Sequence, residues 1–110
     1  MTFWNHSHPR ARKAHRCDMC SRRIDPGETY LRGTGLDGTA WTWKECAHCE
    51  AARLIYDISD GGEEYDPDLF DGWASGVRGA GPELRAAAGY QSRWRTQSGA
   101  PWPIPRRAAA

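Results

Sequence analysis

The sequence predicts a small α+β domain, and three observations point there. Two Cys-x-x-Cys pairs, Cys17/Cys20 and Cys46/Cys49, are separated by 25 residues. Between them, Asp37-Gly38 is a strong hairpin signal flanked by strand-forming residues. Directly after the second pair, Ala51, Leu54, Ile55 and Ile58 recur at i, i+3, i+4 and i+7, the stripe of an amphipathic helix.

The cysteine spacing carries the chemistry. Two intervening residues let both sulfurs of a pair face one ion from a single tight turn, and four thiolates satisfy the tetrahedral preference of zinc at about 2.3 Å. Cys17, Cys20, Cys46 and Cys49 are therefore the expected ligands of one structural Zn2+. The second pair opens the predicted helix, where free N–H groups and the helix dipole favour thiolate charge. Arg16, Arg22, Arg23 and Lys44 stand nearby in sequence to offset it. Knuckle, β-hairpin, then a cysteine pair at a helix N-terminus is the treble-clef zinc-finger order. A zinc ribbon would set the second pair on another hairpin, and the stripe from Ala51 to Ile58 argues against that. The N-terminus, MTFWNHSHPRARK, lacks the apolar stretch of a secretory signal. A cytoplasmic, reducing setting is expected, which disfavours two internal disulfides. A thioredoxin-like redox pair needs a larger βαβ context than either pair has. His48 and His15 lie beside ligand cysteines and are candidates to hydrogen-bond a ligand sulfur or to replace a cysteine.

Four segments are expected along the chain. Residues 1–14 read as a flexible basic arm, polar and without periodicity. Residues 15–60 hold the four-cysteine zinc unit, with a Pro26-Gly27 turn, strands over 30–32 and 39–44, a loop over 33–38, and a helix stopped by Asp60-Gly61-Gly62. Trp41 and Trp43, two apart, share a strand face and are expected to pack against Leu54, Ile55 and Ile58. Residues 61–98 read as an extension of two short helices. The first is capped by Asp66 with Pro67 following, and carries Leu69, Phe70, Trp73, Ala74 and Val77 on one side. The second, near 82–97, has Leu84, Ala87, Ala88 and Trp94 as inward candidates. Residues 99–110 form a Pro- and Arg-rich tail that alternating prolines hold extended.

With 39% apolar residues and twelve glycines, 110 residues build only a modest core, so stapling by a metal is expected. No apolar run is long enough to span a membrane. The formal net charge of +1 hides an uneven distribution. Residues 1–23 carry six bases and one acid, residues 24–84 four bases and thirteen acids, and residues 85–110 five arginines and no acid. Arg10, Arg12, Lys13 and Arg16 at one end, and Arg93, Arg95, Arg106 and Arg107 at the other, are candidate phosphate contacts, with Trp102 a candidate stacking ring. The bland alternative is that the basic ends neutralise the acidic middle.

The stretch HRCDMCSRRIDPGETYLR, with WTWKECAHCEA, resembles small zinc-finger-like proteins encoded by bacteriophages of actinobacteria. Cys17, Cys20, Ile24, Pro26-Gly27-Glu28, Tyr30, Lys44, Cys46, His48 and Cys49 carry the resemblance, with a weaker echo in RWRTQSGAPWPIP. It implies a zinc-binding phage accessory protein. A closed tetrathiolate site cannot activate water, and the hairpin lacks the histidine base of an HNH-type nuclease. The acidic run Asp57, Asp60, Glu63 and Glu64 likewise has no flanking histidine. The chain reads as a non-catalytic module with no small-molecule substrate. Its expected partner is nucleic acid, met through the basic arms, or a host or phage protein, as for a host-takeover or anti-defence factor.

Overall fold

The computed structural model describes residues 3–37, 39–58 and 67–106. The expected helix stop at Asp60-Gly61-Gly62, the Asp66 cap, the acids Glu63 and Glu64, and Arg107 lie outside them. Five strands and three helices follow in order: β1 (Phe3–Ser7), β2 (His15–Arg16), β3 (Arg23–Ile24), β4 (Tyr30–Asp37), β5 (Thr39–Cys46), α1 (Ala47–Ile55), α2 (Pro67–Gly76) and α3 (Pro82–Gln91). This is a small α+β fold with antiparallel sheets. β1, β4 and β5 form a three-stranded sheet in that order, and β2 and β3 a two-stranded one. No helix among the described residues is long and apolar enough to cross a membrane.

The hairpin is longer than its composition suggests. Residues 33–37, expected in a loop, continue β4, and Asp37 pairs with Thr39 at the tip. The register explains how two glycines are tolerated mid-strand. Gly33 lies opposite Trp43 and Gly35 opposite Trp41. A Cβ on Gly35 would sit 2.2 Å from Trp41 Cζ2, so the indole lies against bare backbone. Glycine inside a strand marks such a close approach. The two tryptophans share a face as alternation predicts, but only Trp43 packs on the core. Trp41 is 37% exposed, and Leu54, its expected partner, is 58% exposed. The packing expected between both tryptophans and Leu54 is thus corrected.

Helix α1 turns a different face inward. His48, Cys49 and Ala52 are buried, because Cys49 must face the other cysteines and Ala52 lies one turn further on. The helix ends before the expected glycines. Asp57 takes a left-handed φ of 51°, and the Ile58 N–H bonds the Arg53 carbonyl at 3.1 Å, the 6→1 bond of a Schellman cap. Glu45, fully buried on β5, receives Arg53 from α1 at 3.1 Å and so ties helix to sheet. Burial pushes the Glu45 carboxyl up to about 7, against the pull of Arg53.

α2 matches its predicted face: Phe70 and Ala74 are buried, with Leu69, Trp73 and Val77 packed against them. Phe70 stacks on Tyr90 of α3 at 5.1 Å between ring centroids, and the Tyr90 hydroxyl donates to Asp71 at 2.7 Å. In α3, Ala86, Ala87, Gly89 and Tyr90 face inward, while Leu84 and Ala88 face out, contrary to expectation. α3 stops at Gln91, short of the expected 97, because Arg93 and Trp94 both take left-handed φ, 53° and 57°. That reversal drives Trp94 into the core, where it is fully buried.

Neither terminus runs free where it is described. Residues 3–7, read from sequence as part of a flexible arm, pair with β4 from Phe3↔Leu36 to Ser7↔Arg32. Residues 9–11 are laced to 27–30: Ala11 N–H bonds the Glu28 carbonyl, Gly27 N–H the Ala11 carbonyl, and Tyr30 N–H the Pro9 carbonyl. The arm lacks apolar periodicity because backbone pairing holds it. In the tail, Trp102 N–H bonds the Trp94 carbonyl at 2.7 Å, and its ring packs over Gly89.

The Gly35–Trp41 contact is testable. Gly35→Ala should destabilise the protein by about 1–3 kcal/mol through overpacking. Adding Trp41→Ala should recover much of that loss, giving a strongly non-additive thermal-melting cycle. Additive melting effects would show that the ring is not seated on Gly35.

Candidate metal centre

Three elements deliver four sulfurs to one point. Cys17 and Cys20 sit in the turn between β2 and β3. There the Cys17 N–H bonds the Arg22 carbonyl at 2.9 Å, the Ser21 N–H bonds the Cys17 carbonyl at 3.0 Å, and Ser21 adopts φ 64°. Cys46 ends β5 and caps α1, and Cys49 lies in the first turn of α1. Asp18 locks the turn to the hairpin: its N–H bonds the Lys44 carbonyl and its carboxylate accepts the Lys44 N–H, both at 2.8 Å.

All four cysteines are buried and free, and their Sγ atoms lie within 4.8 Å of one another. Cys17 and Cys49 sulfurs are 3.9 Å apart, as are those of Cys20 and Cys46. A disulfide needs about 2.05 Å. Four thiolates about 2.3 Å from a central ion stand about 3.8 Å from one another. The donor set therefore fits one tetrahedrally held ion. Backbone N–H groups of Met19 and Cys46 point at Cys17 Sγ at 3.4 and 3.3 Å, and that of Cys49 at Cys46 Sγ at 3.5 Å.

The electrostatics ask for a cation. Hydrogen bonds from Cys20, Cys46 and Cys49 hold Cys17 far below the usual thiol range. The same sharing with Cys17 and Cys20 raises Cys46 well above it, and burial followed by its three neighbours raises Cys49. Arg22 is buried beside the cluster. Burial opposes its charge, but its 2.8 Å bond to Glu28 and the Cys46 and Cys20 sulfurs hold its pKa above the ordinary value.

The partners beyond the sulfurs only partly follow the sequence reading. The indole N–H of Trp94 donates to Cys49 Sγ at 3.3 Å, the role for which a histidine was expected. His48 instead stacks on Trp94, with ring centroids 5.4 Å apart, and its Nε2 meets the Trp102 carbonyl. A carbonyl only accepts, so Nε2 carries the proton. Burial holds the His48 pKa below its ordinary value, and Nδ1 is buried with no partner. His15 lies on β2 against Tyr30, 5.2 Å between centroids, and is not among the clustered ligands. Burial, Lys44 and Lys13 lower its pKa. Arg22, expected to offset the charge of the site, is buried beside it, whereas Trp94 was missed as a support. Trp94 lies 45 residues from Cys49, and no local pattern links them.

The candidate nucleic-acid residues fall on several surfaces. Arg10, Arg12 and Lys13 line one groove with Arg32 and Lys44. Arg16 donates to the Ser21 carbonyl at 2.9 Å. Arg93 borders a separate hollow with Cys20, and Arg106 a third, beside Trp102 and Ile104. Arg95 is drawn into the fold, 3.0 Å from Asp25. Trp102 is half-buried against the core, so its ring is not the free stacking surface expected of a loose tail.

The fold and the site define a small α+β metal-binding module. No protein-family model matches the chain, and no curated protein or solved structure matches it either.

Trp94→Phe should keep the fold but remove the hydrogen bond to Cys49. Metal affinity should drop by about 10–100-fold, as when a ligand loses its outer partner. A chelator competition titration against wild type measures it, and equal affinities would show that the indole only fills space.

Proposed function

We propose that the chain is a treble-clef zinc module whose metal builds a non-catalytic platform for a macromolecular partner. The observation that carries this is the four-sulfur cluster, with opposite edges of 3.9 Å, buried at the meeting point of knuckle, hairpin and helix. An all-thiolate tetrahedral site suits zinc over the harder divalent ions. Four protein ligands leave no open position for water, which favours a structural over a catalytic ion. The buried Arg22 offsets the anionic character of such a centre. A reducing compartment is part of the proposal, because it keeps the thiols available.

Elemental analysis of the purified chain should give one zinc per molecule. Chelation should abolish the cooperative thermal transition, since binding free energy at such sites is folding free energy, about 10–16 kcal/mol in small zinc peptides. Affinity should fall on acidification, as protons compete for the thiolates. Cys46→Ser should behave like chelated wild type. A metal-free preparation with an unchanged circular dichroism spectrum and melting temperature contradicts the proposal.

A further inference from the structure

We infer that the groove between residues 9–13 and the β4–β5 hairpin binds the phosphodiester backbone of a nucleic acid. This deepens the proposed function, and rests on its reading of the metal-built hairpin as a binding platform. Five cations line the groove: Arg10, Arg12 and Lys13 from the segment joining β1 to β2, Arg32 from β4 and Lys44 from β5. No acidic residue among the described ones lines it. Arg32 and Lys44 are direct cross-strand partners, with Ser7 opposite Arg32 on the other side. Like charges placed directly opposite destabilise a sheet, so the fold tolerates this pair at a cost that an anionic ligand would relieve.

The cations are also uncommitted. The ion pairs among the described residues join His8 to Glu50, Arg22 to Glu28, Arg23 and Arg95 to Asp25, and Arg53 to Glu45. None involves a groove cation. Asp18, next to Lys44, spends its carboxylate on the Lys44 N–H. The groove is pre-formed, because the bonds from 9–11 to 27–30 fix its outer wall. With a net charge of only +1, attraction to a polyanion must come from a local concentration of charge such as this one.

The chemistry of the walls chooses between partners. A protein interface centres on apolar or aromatic anchors that pack deeply. Here the apolar and aromatic members are Pro9, His15 and Tyr30; Tyr30 is already buried, and the His15 ring packs against it. Four exposed cations and the half-buried Lys44, with a serine, match sugar–phosphate contacts, which make up half or more of protein–DNA hydrogen bonds.

The test uses the full, zinc-loaded chain with labelled single-stranded and duplex 20-mers, titrated at several salt concentrations. One variant combines Arg12→Ser, Lys13→Ser and Arg32→Thr. A control of equal charge loss combines Arg78→Ser, Arg85→Ser and Arg106→Ser, none of which lines the groove. The groove variant should bind about tenfold or more weakly. Its log–log salt slope should flatten by about 0.9 per replaced cation on duplex, or about 0.7 on single strands. The control should stay within about threefold of wild type. Zinc content and melting are measured on all three proteins. Failure of zinc-loaded, normally melting wild type to bind either oligonucleotide overturns the inference while leaving the zinc reading intact. Equal losses in both variants also overturn it, as does binding to acidic polypeptide or anionic vesicles without oligonucleotide binding. Absence of zinc would instead count against the zinc reading.

Discussion

Four buried sulfurs within 4.8 Å of one another set the terms for the rest of this structure. In a water-poor pocket burial works against thiolate charge while shared hydrogen bonds favour it, so Cys17 is depressed while Cys46 and Cys49 are raised. A cation at the centre removes that conflict. Each surrounding element then has a local task. The β2–β3 turn presents two sulfurs, β5 delivers the third at its last residue, and the first turn of α1 supplies the fourth while backbone N–H groups support the sulfur charge.

The chain spends its large rings closing this centre and the sheet beside it. Trp94 caps Cys49 through its indole N–H, His48 stacks on Trp94, and the Trp102 backbone bonds both His48 and Trp94. Two consecutive left-handed residues, Arg93 and Trp94, make the reversal possible. Such a conformation is costly outside glycine and persists where surrounding contacts over-determine it. Here the hydrogen bond to sulfur and the burial of the indole do so. Gly89 is required beneath them, since a Cβ there would meet Trp94 at 2.7 Å and Trp102 at 2.8 Å. α3 and the tail are thereby tied to the four-cysteine cluster, so the segments beyond the cysteine unit belong to the same core.

The uneven charge of the sequence resolves differently in three dimensions. Many central acids are consumed internally: Glu28 by Arg22, Glu45 by Arg53, Asp25 by Arg23 and Arg95, Asp71 by Tyr90, Glu83 by Trp73. The described tail arginines spread over separate surfaces, and Arg95 becomes structural. What collects is an N-terminal group, joined by Arg32 and Lys44 from what reads in sequence as the acidic middle.

The sequence by itself determined the ligand set, the hairpin and the helix after the second cysteine pair. These depend on short spacings, where Cys-x-x-Cys, Asp-Gly and a helical stripe each constrain a few consecutive residues. It also determined the inward face of α2, whose periodicity survives two glycines. Tertiary structure alone decided the rest. The Cys49 sulfur, not the apolar stripe, set the rotation of α1, and so exposed Leu54 and buried Ala52. The glycines of β4 read as loop until their cross-strand tryptophans are known. β1 carries no apolar alternation because backbone pairing with β4 forms it. The partner of Cys49 is Trp94, 45 residues away, and the groove unites residues from three segments. A spacing rule describes neighbours along the chain, whereas these contacts exist only once the sulfurs have drawn the segments together.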